Sequence, residues 1–473
     1  MGLEISGGRL WIPGNPESIP RIECSRIQPL SFLQAMFNRI YYMRDDSPLG
    51  IMGTLGSSDP LLARAKAADF LQNCKGKVKT VHEIGPGNFN FAKNFVDAVK
   101  PEISDLAYHG HDFSESSFMF VEGELAQKYN GTISFHNRSI EDFAESVDDD
   151  PLHVVLVEVL DDTRTEFFTV HEGIEYLCCG RPKMRQDVRI NSRVRHAKML
   201  IERGDFSLAV QRMACVPGND KEYTAAEMVE LLDNADWKEL EKIHPSFLQW
   251  FEDVNKQFMP FEVEDVVYKY HWQNPSPEFK EFTDEVVSYF RQQMRRTGED
   301  IVIHIPVAGI DFLWGLKKKA DKGHSVHADF FDYGYSSSEE KLNPIMNYNG
   351  QITSPVNFEL MVHAAESLGF NVQLEKNEEY INRMLGEDTV VIGRMRDAFP
   401  HWSNENAEEF FYAAFEHAVK KLCPDVKCTP ENISQLRVRR EDYEKMIYAA
   451  KEGRLADPNF KLPEGSYHMA VEK

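Results

Sequence analysis

The chain has 473 residues, 42% hydrophobic and 27% charged, an ordinary globular composition with room for about two or three domains. Its 76 acidic against 53 basic residues give a net charge of −23, which disfavours nonspecific binding to nucleic acid or anionic membranes and favours a basic partner. No apolar run reaches the roughly 18 residues of a transmembrane helix, and seven cysteines without a CxxC pair point to a reducing compartment rather than to disulfides or zinc.

Residues 1–25, with Gly7-Gly8, Pro13, Pro16 and Pro20, predict an irregular arm. Phe32, Ala35, Met36, Ile40 and Met43 then recur at helical spacing, and a second helix is expected over 60–74. This N-terminal part, 1–80, leads into Val81-His82-Glu83-Ile84-Gly85-Pro86-Gly87-Asn88-Phe89-Asn90-Phe91-Ala92. The stretch predicts a short buried strand, a tight glycine turn and the first turns of a helix. Gly85 and Gly87 let the backbone approach a ligand where a side chain would block it. The helix that follows offers unpaired N–H groups and its positive end. A dinucleotide site would place a third glycine where this chain has Asn90, which counts against NAD or FAD. Glu83 places a carboxylate at the strand end, facing a bound ligand.

Phe91, Phe95, Val96 and Val99 mark one face of the helix after the turn. A second strand, Asp105 to His111, runs into Asp112-Phe113-Ser114, where the Asp112 carboxylate suits both hydroxyls of a ribose. A helix over 115–129, a strand over 132–136 and a continuous apolar strand from His153 to Leu160 follow. Strands alternating with helices predict an α/β fold with a parallel sheet and right-handed crossovers. The nucleotide-binding core is assigned to 81–180, and 181–299 to an inserted helical cap. That cap has helices near 224–242 and 277–296 (Phe279, Phe282, Val286, Phe290) and aromatic density around Trp250 and Phe258.

The second half of the core is expected over 300–395. It would hold a strand at 300–306, a helix bearing Phe312, Leu313 and Leu316, and a strand at 323–335. A helix with Leu360, Met361, Ala364 and Leu368 follows, then strands at 370–374 and 389–393. Residues 396–473 read as a helical extension with Phe410, Phe411, Phe415 and Val419 on one face. His324, His327, Asp329 and Asp332 have a spacing open to a metal, but on a strand His324 and His327 face opposite ways, so no metal site is expected. His109 and His111 share a face without a third ligand, and Cys178-Cys179 read as packing.

Five of these stretches resemble the MidA-type methyltransferases, which include the mitochondrial complex I assembly factor that methylates arginine. Family members carry Glu-Leu-Gly-Pro-Gly, here Glu83-Ile84-Gly85-Pro86-Gly87, and an acid with a serine two residues on, here Asp112-Phe113-Ser114. Of the family's Asn-Glu-Phe-Phe-Asp-Ala-Leu-Pro, this chain keeps Glu158 and Asp161. Phe331-Asp332-Tyr333-Gly334 matches a strand end, and Ile352-Thr353-Ser354-Pro355-Val356-Asn357-Phe358 matches a later motif with Asn for Asp. The similarity covers about 29–170 and 300–375.

The resemblance implies a class I, Rossmann-like sheet with helices on both faces and S-adenosyl-L-methionine (SAM) as cofactor. The cofactor would be held by Glu83, Gly85, Pro86, Gly87, Asp112, Phe113 and Ser114. Glu158 and Asp161 become the candidate catalytic carboxylates, aiming an arginine guanidinium of a protein substrate, with Asp332 and Tyr333 lining the substrate side. A homodimer is compatible with this reading, and neither nucleic acid nor membrane is expected as partner. The expected location is the cytoplasm, or the mitochondrial matrix for a eukaryotic member. A small-molecule acceptor served by the aromatic insert, or an assembly protein that keeps the fold without turnover, are the alternatives. The changed residues around Glu158 leave the acceptor open.

Overall fold

The computed structural model describes residues 4–6, 9–11, 21–42, 60–74, 76–114, 116–186, 189–191, 222–234, 251–298, 300–337, 346–348, 351–386, 389–391, 437–439 and 466–473. The chain divides into two units. One is Met1–Asp45, Asp162–Val307 and Asn343–Ser354; the other is Asp46–Asp161, Ala308–Leu342 and Pro355–Lys473. The chain thus leaves the core unit after Asp161, earlier than the boundary expected at 180.

The core unit is built on β1 (Thr80–Ile84), β2 (Ala107–Asp112), β3 (Ile133–Asn137), β4 (Leu152–Val157), β5 (Val326–Tyr335), β6 (Asn371–Lys376) and β7 (Ser466–Glu472). Their order across the sheet is 3-2-1-4-5-7-6. The first five strands run parallel, and β7 lies antiparallel between β5 and β6. A short strand, Val356–Asn357, pairs with the end of β5. This order with one reversed strand is that of the class I methyltransferase sheet, the fold class expected from the resemblance.

A central parallel strand must be apolar on both faces, and β4, Leu-His-Val-Val-Leu-Val, is buried along its whole length. Helices cover both sides of the sheet. On one side lie α1 (Pro60–Cys74) and α2 (Asn90–Val99). Phe70 of α1 and Phe91 and Phe95 of α2 share a core with Val81, Tyr108, Val155 and Phe331 from the strands. The spacing Phe91, Phe95, Val96, Val99 puts the whole apolar face of α2 on the sheet, and each buried phenylalanine contributes about 2–3 kcal/mol. On the other side, Phe143 of α3 (Ile140–Ser146) meets Phe312 of α4 (Val307–Asp321), whose ring in turn meets Phe330.

Within the helical extension expected over 396–473, the described residues 437–439 and 466–472 are strand rather than helix. Ser466–Glu472 is a strand of the core sheet, with Tyr467, Met469 and Val471 buried at period two. It fills the slot between β5 and β6 and so removes two open edges. The strand expected at 389–393 is present as Thr389–Val391 but pairs with Arg437–Arg439 rather than with the core sheet. Phe410, Phe411, Phe415 and Val419 lie outside the described residues.

The other unit contains a six-stranded antiparallel sheet. Phe251–Pro260, Ile174–Arg185, Glu166–His171 and Ile303–Ile305 lie in that order, and Arg21–Glu23 and Gln28–Pro29 also pair with Ile174–Arg185. The insert expected to be helical is therefore sheet and helix together. The strand expected to reopen the core at 300–306 belongs to this sheet instead, because it pairs antiparallel with Glu166–His171. The predicted helix near 277–296 is Pro277–Thr297, started by Ser276, whose hydroxyl accepts from the Phe279 N–H, with Phe282, Val286 and Phe290 inward. Among the described residues no helix is long and apolar enough to cross a membrane.

Candidate functional site

Strand order locates the site before any side chain does. The chain leaves β1 toward β2 on one side and β4 toward β5 on the other, so the crevice beyond the carboxyl ends of β1 and β4 is the topological switch point. The Gly85–Gly87 turn and the Glu158–Asp161 loop stand there, directly after β1 and β4.

Both glycines of the turn are left-handed, with φ of 66° at Gly85 and 51° at Gly87. The Gly85 N–H donates to the His111 carbonyl at 2.8 Å and extends the β1–β2 ladder. The Pro86 carbonyl accepts from the Phe89 N–H at 2.8 Å, which closes the turn. A β-carbon on Gly85 would stand 2.8 Å from Val159 Cγ2, whereas one on Gly87 would meet nothing within 4 Å. The Gly87 side is therefore open. Phe89 holds the helix N-cap position at φ 61°, a conformation that costs a non-glycine residue about 1–3 kcal/mol. Its ring is fully buried beneath Gly110, where a β-carbon would come within 2.5 Å of it.

Asp112 ends β2 and is half-buried. Its Oδ1 accepts the Ser114 N–H at 2.9 Å. Burial pushes its carboxyl up to about 6, opposed by the Ser114 N–H it accepts and by the nearby backbone of Gly87 and Phe113. Phe113 is exposed beside it, and Ser114 is buried.

Glu83 lies deeper than the sequence suggested. The strand continues through Ile84, and period two puts Glu83 on the core face with Val81. It is buried, and the Tyr108 hydroxyl donates to its Oε2 at 3.0 Å. Burial is the largest cause raising its carboxyl to about 8; the Tyr108 bond lowers it, and nearby Asp112 adds to the rise.

The loop after β4 carries Glu158 and Asp161. Glu158 is left-handed, φ 51°, and its N–H donates to the Phe331 carbonyl at 2.7 Å. Asp332, expected at the substrate, is buried with its carboxylate on the backbone. Its Oδ2 accepts from the N–H groups of Val159 (3.1 Å), Leu160 (2.9 Å) and Asp161 (3.4 Å), and its Oδ1 from Tyr333 (2.8 Å). The structure thus links the glycine turn to Val159 through Gly85, and Val159 to Asp332. Gly110, Tyr108 and Val159 are the parts that sequence reasoning missed. Only Gly110 left a signal, an interior strand glycine marking a close approach.

Two titratable clusters lie elsewhere in this unit. His82, His109, His111 and His136 meet on adjacent strands, with His82 Nδ1 2.9 Å from His111 Nε2 and His109 Nδ1 3.1 Å from His136 Nε2. His153, His327 and Asp329 place three ligand-type atoms within 4.8 Å of one another. A cation already stands there, since the buried Lys66 ammonium lies 2.6 Å from Asp329 and 2.9 Å from Asp69. His324 is apart from this group, with its Nδ1 3.1 Å from the Asp149 carbonyl oxygen.

No family model and no curated protein matches the sequence. Solved structures similar to this chain include an uncharacterised protein from Burkholderia thailandensis, 13% identical over 94% of this chain and 87% of that chain, with a TM-score of 0.43. A member of the same superfamily from that organism, bound to S-adenosyl-homocysteine, is 12% identical over 94% of this chain and 88% of that chain, with a TM-score of 0.41. A cyclopropane-fatty-acyl-phospholipid synthase-like protein from Lactobacillus casei is 9% identical over 88% and 90%, with a TM-score of 0.28. Likenesses this distant leave the fold class resting on the strand order.

Proposed function

We propose that the protein is a SAM-dependent methyltransferase whose acceptor is a protein, at an arginine side chain. The observation that carries the reading is the glycine turn at the switch point of a 3-2-1-4-5-7-6 sheet, with the Gly87 backbone near enough to the carboxylate that ends β2 to favour its ionised form. The residues present fit the cofactor. Gly87 leaves an open side, the turn brings backbone rather than side chain to it, and Asp112 offers a carboxylate to ribose hydroxyls. Phe113 presents an exposed ring at the same mouth. Glu83 supplies a carboxyl whose ionisation a cationic ligand would favour.

When bound, SAM supplies a methyl group on a sulfonium, open to in-line displacement. Positioning is the main contribution asked of the protein. Glu158 and Asp161 are assigned to holding the guanidinium through charge-assisted bonds, and Tyr333 to the substrate side. The left-handed Glu158 at the mouth of β4 favours this assignment, because strain in a non-glycine residue at a strand end concentrates at functional sites. The excess of 23 negative charges favours a basic, arginine-bearing partner.

Incubation with methyl-labelled SAM and arginine-containing candidate proteins, read by mass spectrometry, tests the acceptor. Label on arginine is the expected outcome. Label confined to small molecules would favour the small-molecule alternative, and saturable SAM binding without any transfer would favour the interaction protein.

A further inference from the structure

We infer that Asp332 is a positioning residue that clamps the acceptor loop against the glycine turn, rather than a group that touches substrate. The inference rests on the methyltransferase reading for its consequence, and on hydrogen-bond geometry for its substance. Three successive backbone N–H groups, at Val159, Leu160 and Asp161, converge on Asp332 Oδ2 at 3.1, 2.9 and 3.4 Å. Successive N–H groups turned to one point form an anion-binding nest, and here the anion is a side chain of the neighbouring strand. The other oxygen, Oδ1, accepts from the Tyr333 N–H at 2.8 Å. Both oxygens are thus engaged by backbone, and the residue is only 3% exposed.

The loop needs such an anchor. Past Val157 it has left the β4 ladder, and the last ladder-like bond is the Glu158 N–H to the Phe331 carbonyl, 2.7 Å. The following N–H groups begin a single 3-10 turn, Leu160–Asp162, too short to satisfy its own first donors. Asp332 accepts them as a capping carboxylate would. Two consequences follow for the cleft. Val159 is held with Cγ2 2.8 Å from the point where a β-carbon on Gly85 would lie, so the clamp fixes the wall opposite the turn. Asp161, the last residue of the clamped segment, and Glu158, just before it, are held with it.

Asp332→Asn is nearly isosteric but has one acceptor oxygen. Whichever way the amide is turned, its NH2 faces backbone N–H donors, either those of the loop or that of Tyr333. We expect this variant to fold and to exchange the amides of Val159, Leu160 and Asp161 at least tenfold faster than the parent, with the β1 amides unchanged. S-adenosyl-homocysteine (SAH) and SAM should both bind roughly tenfold more weakly with their ratio preserved, since Asp332 touches neither. Asp332→Glu keeps the charge but misplaces it by one methylene, and should fall between parent and Asn. If the Asn variant fails to fold, the Glu variant carries the test. Unchanged exchange at 159–161 together with parental SAH affinity, in whichever variant folds, overturns the clamp. Failure of the parent protein to bind SAH would instead sink the methyltransferase reading, while the exchange measurement still decides the clamp.

Discussion

Gly85 and Val159 approach so closely that a β-carbon on Gly85 would stand 2.8 Å from Val159 Cγ2, which joins the glycine turn to the loop after β4. The two glycines of the turn should therefore fail differently on substitution. Gly85→Val should abolish SAM binding and also destabilise the fold, because φ 66° and the Val159 methyl both oppose the side chain. Gly87→Ala meets no atom within 4 Å and should cost the fold only about 1 kcal/mol for its left-handed backbone, yet it should weaken SAM binding by filling the open side. Urea denaturation and SAM titration of both variants check this. Unchanged SAM binding in Gly85→Val would remove the site from this turn.

Glu83 makes stability and binding depend on pH. Its folded-state carboxyl, about 8, lies above the 4.5 of an unburied glutamate, with burial the first cause. Its contribution is thus fully present below pH 4.5 and is lost as pH rises through 8, on the order of 5 kcal/mol when ionisation is complete. Glu83→Gln should gain stability relative to the parent between pH 6 and pH 9, measured by urea denaturation. Binding of a cationic ligand near the carboxyl should release a proton at pH 7, visible in calorimetry as a dependence of heat on buffer ionisation.

The four-histidine cluster predicts an acid-sensitive fold. Burial is the first cause lowering His82 to about 4, and it lowers His109, His111 and His136 as well; Asp149 opposes the shift at His82, and Arg138 adds to it at His111 and His136. Neutral rings in the native state face an unfolded chain that takes up protons near 6.5. Stability is therefore present above pH 6.5 and lost as pH falls toward 4. His111→Gln should flatten that loss, read as melting temperature at pH 7.5 and pH 5.

Glu158→Gln should leave SAH binding near the parental value and lower methyl transfer by roughly 10²-fold, the scale expected when one charged group facing the transition state is neutralised. Equal losses of binding and transfer would place Glu158 at the cofactor instead.

The legible parts of the chain were those whose signal is local. The glycine turn announces itself by Gly85 and Gly87, Asp112 by its place at the end of the second strand, and β4 by an unbroken apolar run. Strand β7 is not legible although Tyr467, Met469 and Val471 alternate, because its partners lie more than ninety residues away in sequence and nothing local says which slot is open. The histidine cluster needs register, since His82 faces His109 and His111 faces His136 only once β1, β2 and β3 are paired. The motif around Asp332 suggests a substrate contact, whereas its three loop donors come from the backbone, which leaves no trace in residue type. The depth of Glu83 is legible in the strand period, which sets it with Val81 on the core face.

The central claim is that the turn after β1 and the acid after β2 together hold SAM. Calorimetric titration of SAH into the parent protein and into Asp112→Asn tests it directly. Saturable binding to the parent with one ligand per chain, weakened at least tenfold in Asp112→Asn, is the predicted result. Absence of saturable binding to the parent, or equal affinity in the two proteins, would contradict it.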